Sequence, residues 1–296
     1  MTVMTRQTRA RGSAYGARSG RSLGCGSFGD VFEARHRVTG EAVAVKGLKK
    51  QAPVAGEAAG TKDAAAADEI LREAGFLAAC RGHPSLIDLR ALAVNPNRNE
   101  VALVMERAGP SLHDVLHGHR AGRPYPEPEV RRIMRQLLEG ARHMHSRKVM
   151  HRDIKLGNIL VDGDDKNSPI TVKICDFGLA ASLSDKPPYA KAGTHRYMAP
   201  EMLMGKTDYD AMVDMWSLGC VMAELLTGKP LFDSANDKVG QIFKIFKVLG
   251  AQGLGGGRIS SRFRFPARWP RPLFATATAC ASSFRKRTCL SNGLTS

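Results

Sequence analysis

Val149-Met150-His151-Arg152-Asp153-Ile154-Lys155-Leu156-Gly157-Asn158, followed downstream by Asp176-Phe177-Gly178, is the stretch that decides the fold. It offers two carboxylates, Asp153 and Asp176, and one amide, Asn158. Between them lie two apolar runs, Ile159-Leu160-Val161 and Val172-Lys173-Ile174-Cys175, separated by the polar residues 162–169. Two strands joined by that turn bring the three polar groups to one end of a hairpin. Oxygen donors of this kind suit Mg²⁺, an ion usually shared with substrate phosphates. Such a site still needs groups that hold a phosphate.

Residues 15–50 supply them, reading as strand, loop, strand, strand. The loop Leu23-Gly24-Cys25-Gly26-Ser27-Phe28-Gly29-Asp30-Val31 spells G-x-G-x-x-G-x-V, and its glycines let backbone amides come close to phosphate oxygens. A dinucleotide-binding turn would run straight into a helix. Here Val31-Phe32-Glu33-Ala34-Arg35 continues as a strand, turns at Thr39-Gly40 and returns through Ala42-Val43-Ala44-Val45-Lys46. A lysine ending such an apolar strand is costly unless a partner meets it, with the polar end of an edge strand as the lesser alternative. Residues 51–67, eight of them Ala, read as a flexible connection. A helix then follows, because Ile70, Ala74 and Leu77 recur on one face. Glu73 beside that face is the natural partner of Lys46, with Glu69 as competitor.

Further strands are predicted over 86–93 and 101–105, and residues 106–110 read as a connector between two lobes. Helices are predicted over 111–116, 127–145, 213–226 and 238–249. The last is expected to bury Val239, Ile242, Phe243 and Phe246. A loop of some twenty residues separates Gly178 from Ala199-Pro200-Glu201, and loops that long are usually functional. No regular structure is predicted for 251–296.

The chain has 296 residues, enough for one large core or two modest ones, and 43% are hydrophobic. No apolar run approaches the roughly 20 residues of a membrane-spanning helix, and no signal-peptide core is visible at the start, so cytosol or nucleus is expected. Cysteines 25, 80, 175, 220, 280 and 289 are scattered without Cys-x-x-Cys, which predicts reduced thiols rather than zinc or disulfides. The net charge of +16 is uneven. Residues 1–22 hold five Arg and residues 251–296 hold eight Lys or Arg, neither with an acid, which leaves +3 for 23–250. Solvated basic ends explain this better than nucleic-acid binding.

Five motifs in order, G-x-G-x-x-G-x-V, V-A-V-K, H-R-D-x-K-x-x-N, D-F-G and A-P-E, resemble a eukaryotic Ser/Thr protein kinase over residues 15–250. Val213-Asp214-Met215-Trp216-Ser217-Leu218-Gly219-Cys220 and Lys229-Pro230-Leu231-Phe232 resemble cyclin-dependent-kinase-like members. Arg81-Gly82-His83-Pro84 and the Ala-rich insert are similar to the plant F-type group of grasses. The resemblance implies an α+β, two-lobe fold: a small antiparallel β N-lobe with one helix (15–105), a hinge (106–108) and a larger, mainly helical C-lobe (109–250). Residues 1–14 would be a basic extension and 251–296 a basic tail.

It also implies roles. Leu23, Val31, Ala44 and Leu160 would sandwich the adenine of ATP, with Met105 behind it and main-chain groups of Glu106 and Ala108 at its edge. The loop from Gly24 to Asp30 would cover the phosphates, Lys46 held by Glu73 would bind them, and Asn158 and Asp176 would hold Mg²⁺. Asp153 would take the proton of the substrate hydroxyl, Lys155 would steady the transferring phosphate, and Thr194 would bond both. Protein Ser/Thr side chains would be the acceptors.

Some residues depart from that pattern. Arg152 before the catalytic Asp goes, in the family, with control by loop phosphorylation. Yet the threonine position falls on Tyr189, and no Ser or Thr lies between Asp185 and Gly193. Met198 stands where the group carries an arginine, and no usual cyclin-binding helix is visible around 63–77, so little supports a cyclin as partner. Glu201 lacks the late arginine that family members pair with it, and the tail reads as a frameshifted, misspliced or truncated end. An active kinase is the first reading, an inactive kinase-like scaffold the second, and nucleic-acid binding through the ends the third.

Overall fold

The computed structural model describes residues 22–26, 29–48, 59–95, 100–162, 170–233 and 238–249. They fall into two compact units, Met1–Leu231 and Phe232–Ser296.

The first unit opens with strands β1 (Ser22–Gly26), β2 (Gly29–Arg35) and β3 (Ala42–Leu48), then helix α1 (Ala59–Ala79), then β4 (Leu89–Asn95) and β5 (Glu100–Glu106). The five strands form one antiparallel sheet in the order β1-β2-β3-β5-β4. Register decides which side chains share a face. Val31 lies opposite Lys46 and Lys46 opposite Leu103, while Glu33 lies opposite Ala44 and Ala44 opposite Met105. Because faces alternate with period two, all six look to one side. The other side buries Ala34, Val43 and Val104 with Val45, Ala91 and Ala93.

Helix α1 begins eleven residues before Ile70, inside the stretch read as a flexible connection. Alanine has the highest helix propensity, so its low-complexity run extends the helix rather than breaking it. Ile70, Glu73, Ala74 and Leu77 form its buried face. β4 starts at Leu89, three residues later than predicted. The residues before it pair elsewhere: Ile87 N–H donates to Ile174 O and Ile174 N–H to Ser85 O, both at 2.9 Å.

Past the connector come α2 (Glu127–Ser146), β6 (Val149–Met150), β7 (Ile159–Asp162), β8 (Thr171–Ile174), β9 (Ala181–Ser182), α3 (Pro200–Leu203) and α4 (Met212–Thr227). The predicted helix over 111–116 is displaced: a wide π-type turn covers Asp114–His119, and Ser111 instead bridges to Leu160 and caps the Asp114 N–H at 3.1 Å. α2 buries Val130, Ile133, Met134, Leu137, Ala141 and Met144 and leaves Leu138, on the same predicted stripe, half-buried. β7 and β8 pair antiparallel, and β6 pairs with β9. The hairpin expected between Asn158 and Asp176 is therefore formed; its turn, 163–169, lies outside the described residues.

In the second unit α5 (Lys238–Leu249) has the predicted limits but a different buried face. Gln241 and Ile245 are buried, Ile242 and Phe246 of the predicted set are half-buried, and Val239 and Phe243 are 62% and 67% exposed. Two stripes of this helix satisfy three- and four-residue spacing, so hydrophobicity alone did not choose between them. The expectations for 1–14, 15–21, 51–58 and 251–296 lie outside the described residues.

The connector is threaded tightly. Gly109 N–H donates to Asp162 Oδ1 at 2.8 Å and Val161 N–H to Pro110 O at 2.9 Å. A Cβ on Gly109 would stand 1.9 Å from Val161 O, so only glycine permits this approach. Gly109→Ala should cost about 1–3 kcal/mol, the usual range for overpacking, read as a lowered urea midpoint.

Candidate active site

Asp214 is a charged residue inside the apolar helix α4, fully buried, and it anchors the loop after β6. Its Oδ2 accepts the His151 N–H at 2.9 Å and its Oδ1 the Arg152 N–H at 2.8 Å. His145 Nε2 lies 2.9 Å from Oδ2. Burial opposes the Asp214 charge, yet the bond and charge of His145, joined by His151, hold its carboxyl below the ordinary range. His151 Nε2 in turn meets Cys175 O at 3.0 Å, and its ring packs edge-on against the buried Phe177. Arg152 is held in a left-handed conformation, φ 69°, which a non-glycine residue keeps only under tertiary constraint.

The next residue is Asp153, 7% exposed. Its Oδ1 accepts the Thr194 N–H at 2.9 Å and hydroxyl at 2.7 Å. Its Oδ2 accepts Lys155 Nζ at 2.8 Å and Asn158 Nδ2 at 3.1 Å. Lys155 Nζ also reaches Thr194 Oγ1 at 3.0 Å, and Asn158 Nδ2 reaches Asp153 O at 2.9 Å. Four predicted site residues thus meet around one carboxylate, each with a partner.

The second cluster joins β3, α1 and the turn after β8. Lys46 Nζ donates to both Glu73 oxygens, at 2.8 and 2.9 Å, and to Asp176 Oδ1 at 2.7 Å. Glu69 is exposed and leaves the pairing to Glu73. Burial pushes the Lys46 ammonium down, but the charges of Asp176 and Glu73 outweigh it and raise it. At Glu73 burial prevails over Lys46 and the carboxyl is raised. At Asp176 burial also pushes up, but Lys46 overcomes it and the carboxyl is lowered. Asp176 itself is left-handed, φ 65° and ψ 76°.

The five apolar residues assigned to the nucleotide come from the sheet and from β7. Ala44 and Met105 are buried on the sheet side, and Leu23, Val31 and Leu160 are half-buried. Glu106 is spoken for: its carboxylate takes the Asp88 N–H at 2.8 Å and Lys173 Nζ at 2.9 Å, and its N–H goes to Asp88 O. The Ala108 N–H and C=O have no hydrogen-bond partner among the described residues, although its side chain is buried. Buried main-chain groups are nearly always paired, so this donor and acceptor suit the edge of a planar heterocycle. Gly24 has no atom within 4 Å of where a Cβ would stand. Gly26 and Gly29 pair at the mouth of the β1–β2 hairpin, with Cys25 opposite Asp30. Ser27 and Phe28 lie outside the described residues.

The donor set also fits Mg²⁺. The Asn158 amide nitrogen is committed to Asp153, which leaves its oxygen as the remaining acceptor, and the Asp176 side chain is 30% exposed. No cluster of three or more His, Cys, Asp or Glu groups placed for a metal occurs among the described residues. A carboxylate and an amide oxygen suit a metal that takes its other ligands from phosphates and water.

Asp214 and His145 were not singled out by their residue types or spacing. A carboxylate between Val213 and Met215, in a largely apolar helix, was the available signal, because such a charge must be paired.

Residues 17–271 match the protein kinase domain family, and the chain belongs to it. The match runs past Gly250, where the motif-based reading stopped. The chain is 44% identical over 241 residues to a putative cyclin-dependent kinase F-2 of Oryza sativa subsp. japonica, covering 78% of this chain and 68% of that one. It is 33% identical to cyclin-dependent kinase F-3 of the same rice, over 91% of this chain and 59% of that one. With cyclin-dependent kinase G-1 of Oryza sativa subsp. indica it shares 37% identity, over 76% of this chain and 30% of the relative. The chain thus spans only part of these relatives. It is a plant-type, cyclin-dependent-kinase-like Ser/Thr kinase by family.

Because the folded Asp176 carboxyl lies below its ordinary value, its stabilisation is present above about pH 4 and fades as pH falls through the folded value. Urea midpoints of wild type and Asp176→Asn should differ most near neutrality and converge at acid pH.

Proposed function

We propose that the chain transfers the γ-phosphoryl group of Mg-ATP to Ser or Thr hydroxyls of protein substrates, with Asp153 accepting the hydroxyl proton. The observation that carries this reading is the Asp153 carboxylate, held from four sides by Thr194, Lys155 and Asn158. Since both oxygens are already engaged, an incoming hydroxyl needs one bond released. Lys155 is the group to move, because its ammonium serves equally well on the transferring phosphoryl. The hydroxyl oxygen then bonds to phosphorus, the bond to the ADP oxygen breaks, and the proton stays on Asp153. Thr194 keeps Asp153 aimed while this happens.

On the nucleotide side Lys46 would pass from Asp176 to the phosphates while Glu73 keeps it in place. Asn158 and Asp176 would hold Mg²⁺, which would supply charge neutralisation at the phosphate oxygens. Leu23, Val31, Ala44, Met105 and Leu160 exclude water around the adenine, and Ala108 reads its edge. Lys46 already meets Glu73 in the single chain, which supports activity without a cyclin to bring α1 inward.

With Mg-ATP and a mixture of Ser- and Thr-containing peptides, Asp153→Asn should lower the transfer rate by about 10²–10⁴-fold. Removal of Mg²⁺ by a chelator should silence the wild type. Equal transfer by wild type and variant would refute the reading.

A further inference from the structure

Arg152 carries a charge that no acidic group meets among the described residues. Its guanidinium instead donates to neutral acceptors through Nε and Nη1. Nε donates to Leu179 O at 2.7 Å, and Nη1 to Ala190 O and to Tyr209 Oη, each at 3.0 Å. Tyr209 Oη closes the triangle by donating to Ala190 O at 2.6 Å. The Tyr209 side chain is buried, and its ring lies 5.4 Å from that of Tyr189. Tyr189 N–H donates to Thr207 O at 2.8 Å, so residues 207–209 and 189–190 are zipped together.

The triangle spans both ends of the loop that leads to Thr194. Leu179 stands at its start, Ala190 near its end, and Arg152 is bonded through its main chain to Asp214 and is followed by Asp153. A Cβ on Gly193 would stand 2.5 Å from Arg152 O, so the loop returns hard against the same residue before Thr194 bonds Asp153. An arginine with unfilled donors would invite an anion, such as an added phosphate, to order the loop. Here Nε and Nη1 already hold Leu179 O and Ala190 O, so the arginine is bonded to the loop without an added anion. The hydroxyl of Tyr189, the one such group between residues 186 and 193, is turned to Asp185 O at 2.8 Å.

We infer that Tyr209 is a positioning residue: with Arg152 it holds the loop at Ala190, so that the substrate side of the site is set without phosphorylation of residues 186–193. The inference rests on the phosphoryl-transfer reading for its kinetic consequence but not for its geometry. Tyr209→Phe removes the hydroxyl and keeps the ring against Tyr189. It takes one bond from the arginine and one from Ala190 O, at a distance from the nucleotide cleft.

The test uses the full chain after phosphatase treatment, with mass spectrometry confirming that no phosphate remains. Treated wild type and Tyr189→Phe should both transfer phosphate as fast as untreated wild type. Tyr209→Phe should lose about tenfold in kcat/KM for peptide, through peptide KM, with the KM for ATP unchanged. Tryptic cleavage after Lys191 should speed up about tenfold in Tyr209→Phe, as a weakened local clamp predicts. Loss of transfer on phosphatase treatment, or in Tyr189→Phe, would overturn the inference. So would unchanged cleavage and peptide KM in Tyr209→Phe. If wild type transfers nothing before or after treatment, the phosphoryl-transfer reading fails, and the cleavage rate still decides the clamp. Should Tyr209→Phe fail to fold, the phosphatase and Tyr189→Phe arms decide.

Discussion

One ammonium group ties the upper half of this site together. Lys46 reaches from β3 to Glu73 on α1 and to Asp176 beyond β8, three elements far apart in sequence. Two carboxylates converge on one buried cation, whose charge opposes the cost of burying theirs. The cation fixes where α1 sits relative to the sheet, and it holds Asp176 in a left-handed conformation the residue would not choose alone. Three charges also leave a net negative seat. A nucleotide arriving with a divalent metal brings the missing positive charge and offers Lys46 phosphate oxygens in place of Asp176.

The lower half has a matching anchor of opposite sign. Asp214, buried in α4, takes two successive main-chain amides of the loop and one histidine. That fixes Arg152 in its strained conformation, which sends its main chain towards Asp153 and its guanidinium towards the loop at Leu179 and Ala190. Precise placement is most of what phosphoryl transfer asks of a protein, since the chemistry is in the nucleotide and metal. The buried charges of this chain are spent on placement.

Much of this was legible in residue types. Glycines without a following helix, a lysine ending an apolar strand and a glutamate on the next helix face led to the Lys46–Glu73 contact, and Asp153, Asn158 and Asp176 announced their hairpin. What escaped did so for physical reasons. The Ala-rich run before Ile70 has the composition of a linker and the propensity of a helix, and the propensity prevailed. On α5 two stripes had equal periodicity, and only tertiary structure chose Gln241 and Ile245 over Val239 and Phe243. Ser111 left its predicted helix because Leu160 offered a main-chain bridge. The partners of Asp214 and Arg152 lie 27 to 69 residues away, a separation no local pattern reports.

The central claim is that Lys46, Glu73 and Asp176 form a phosphate seat that is completed by a metal-bound nucleotide. A crystal structure of the chain with Mg²⁺ and a non-hydrolysable ATP analogue tests it most directly. The account predicts Lys46 still on Glu73 but bonded to phosphate, with the metal on Asp176 and Asn158. A nucleotide bound elsewhere, or Lys46 still locked to Asp176 with the cleft filled, would contradict it.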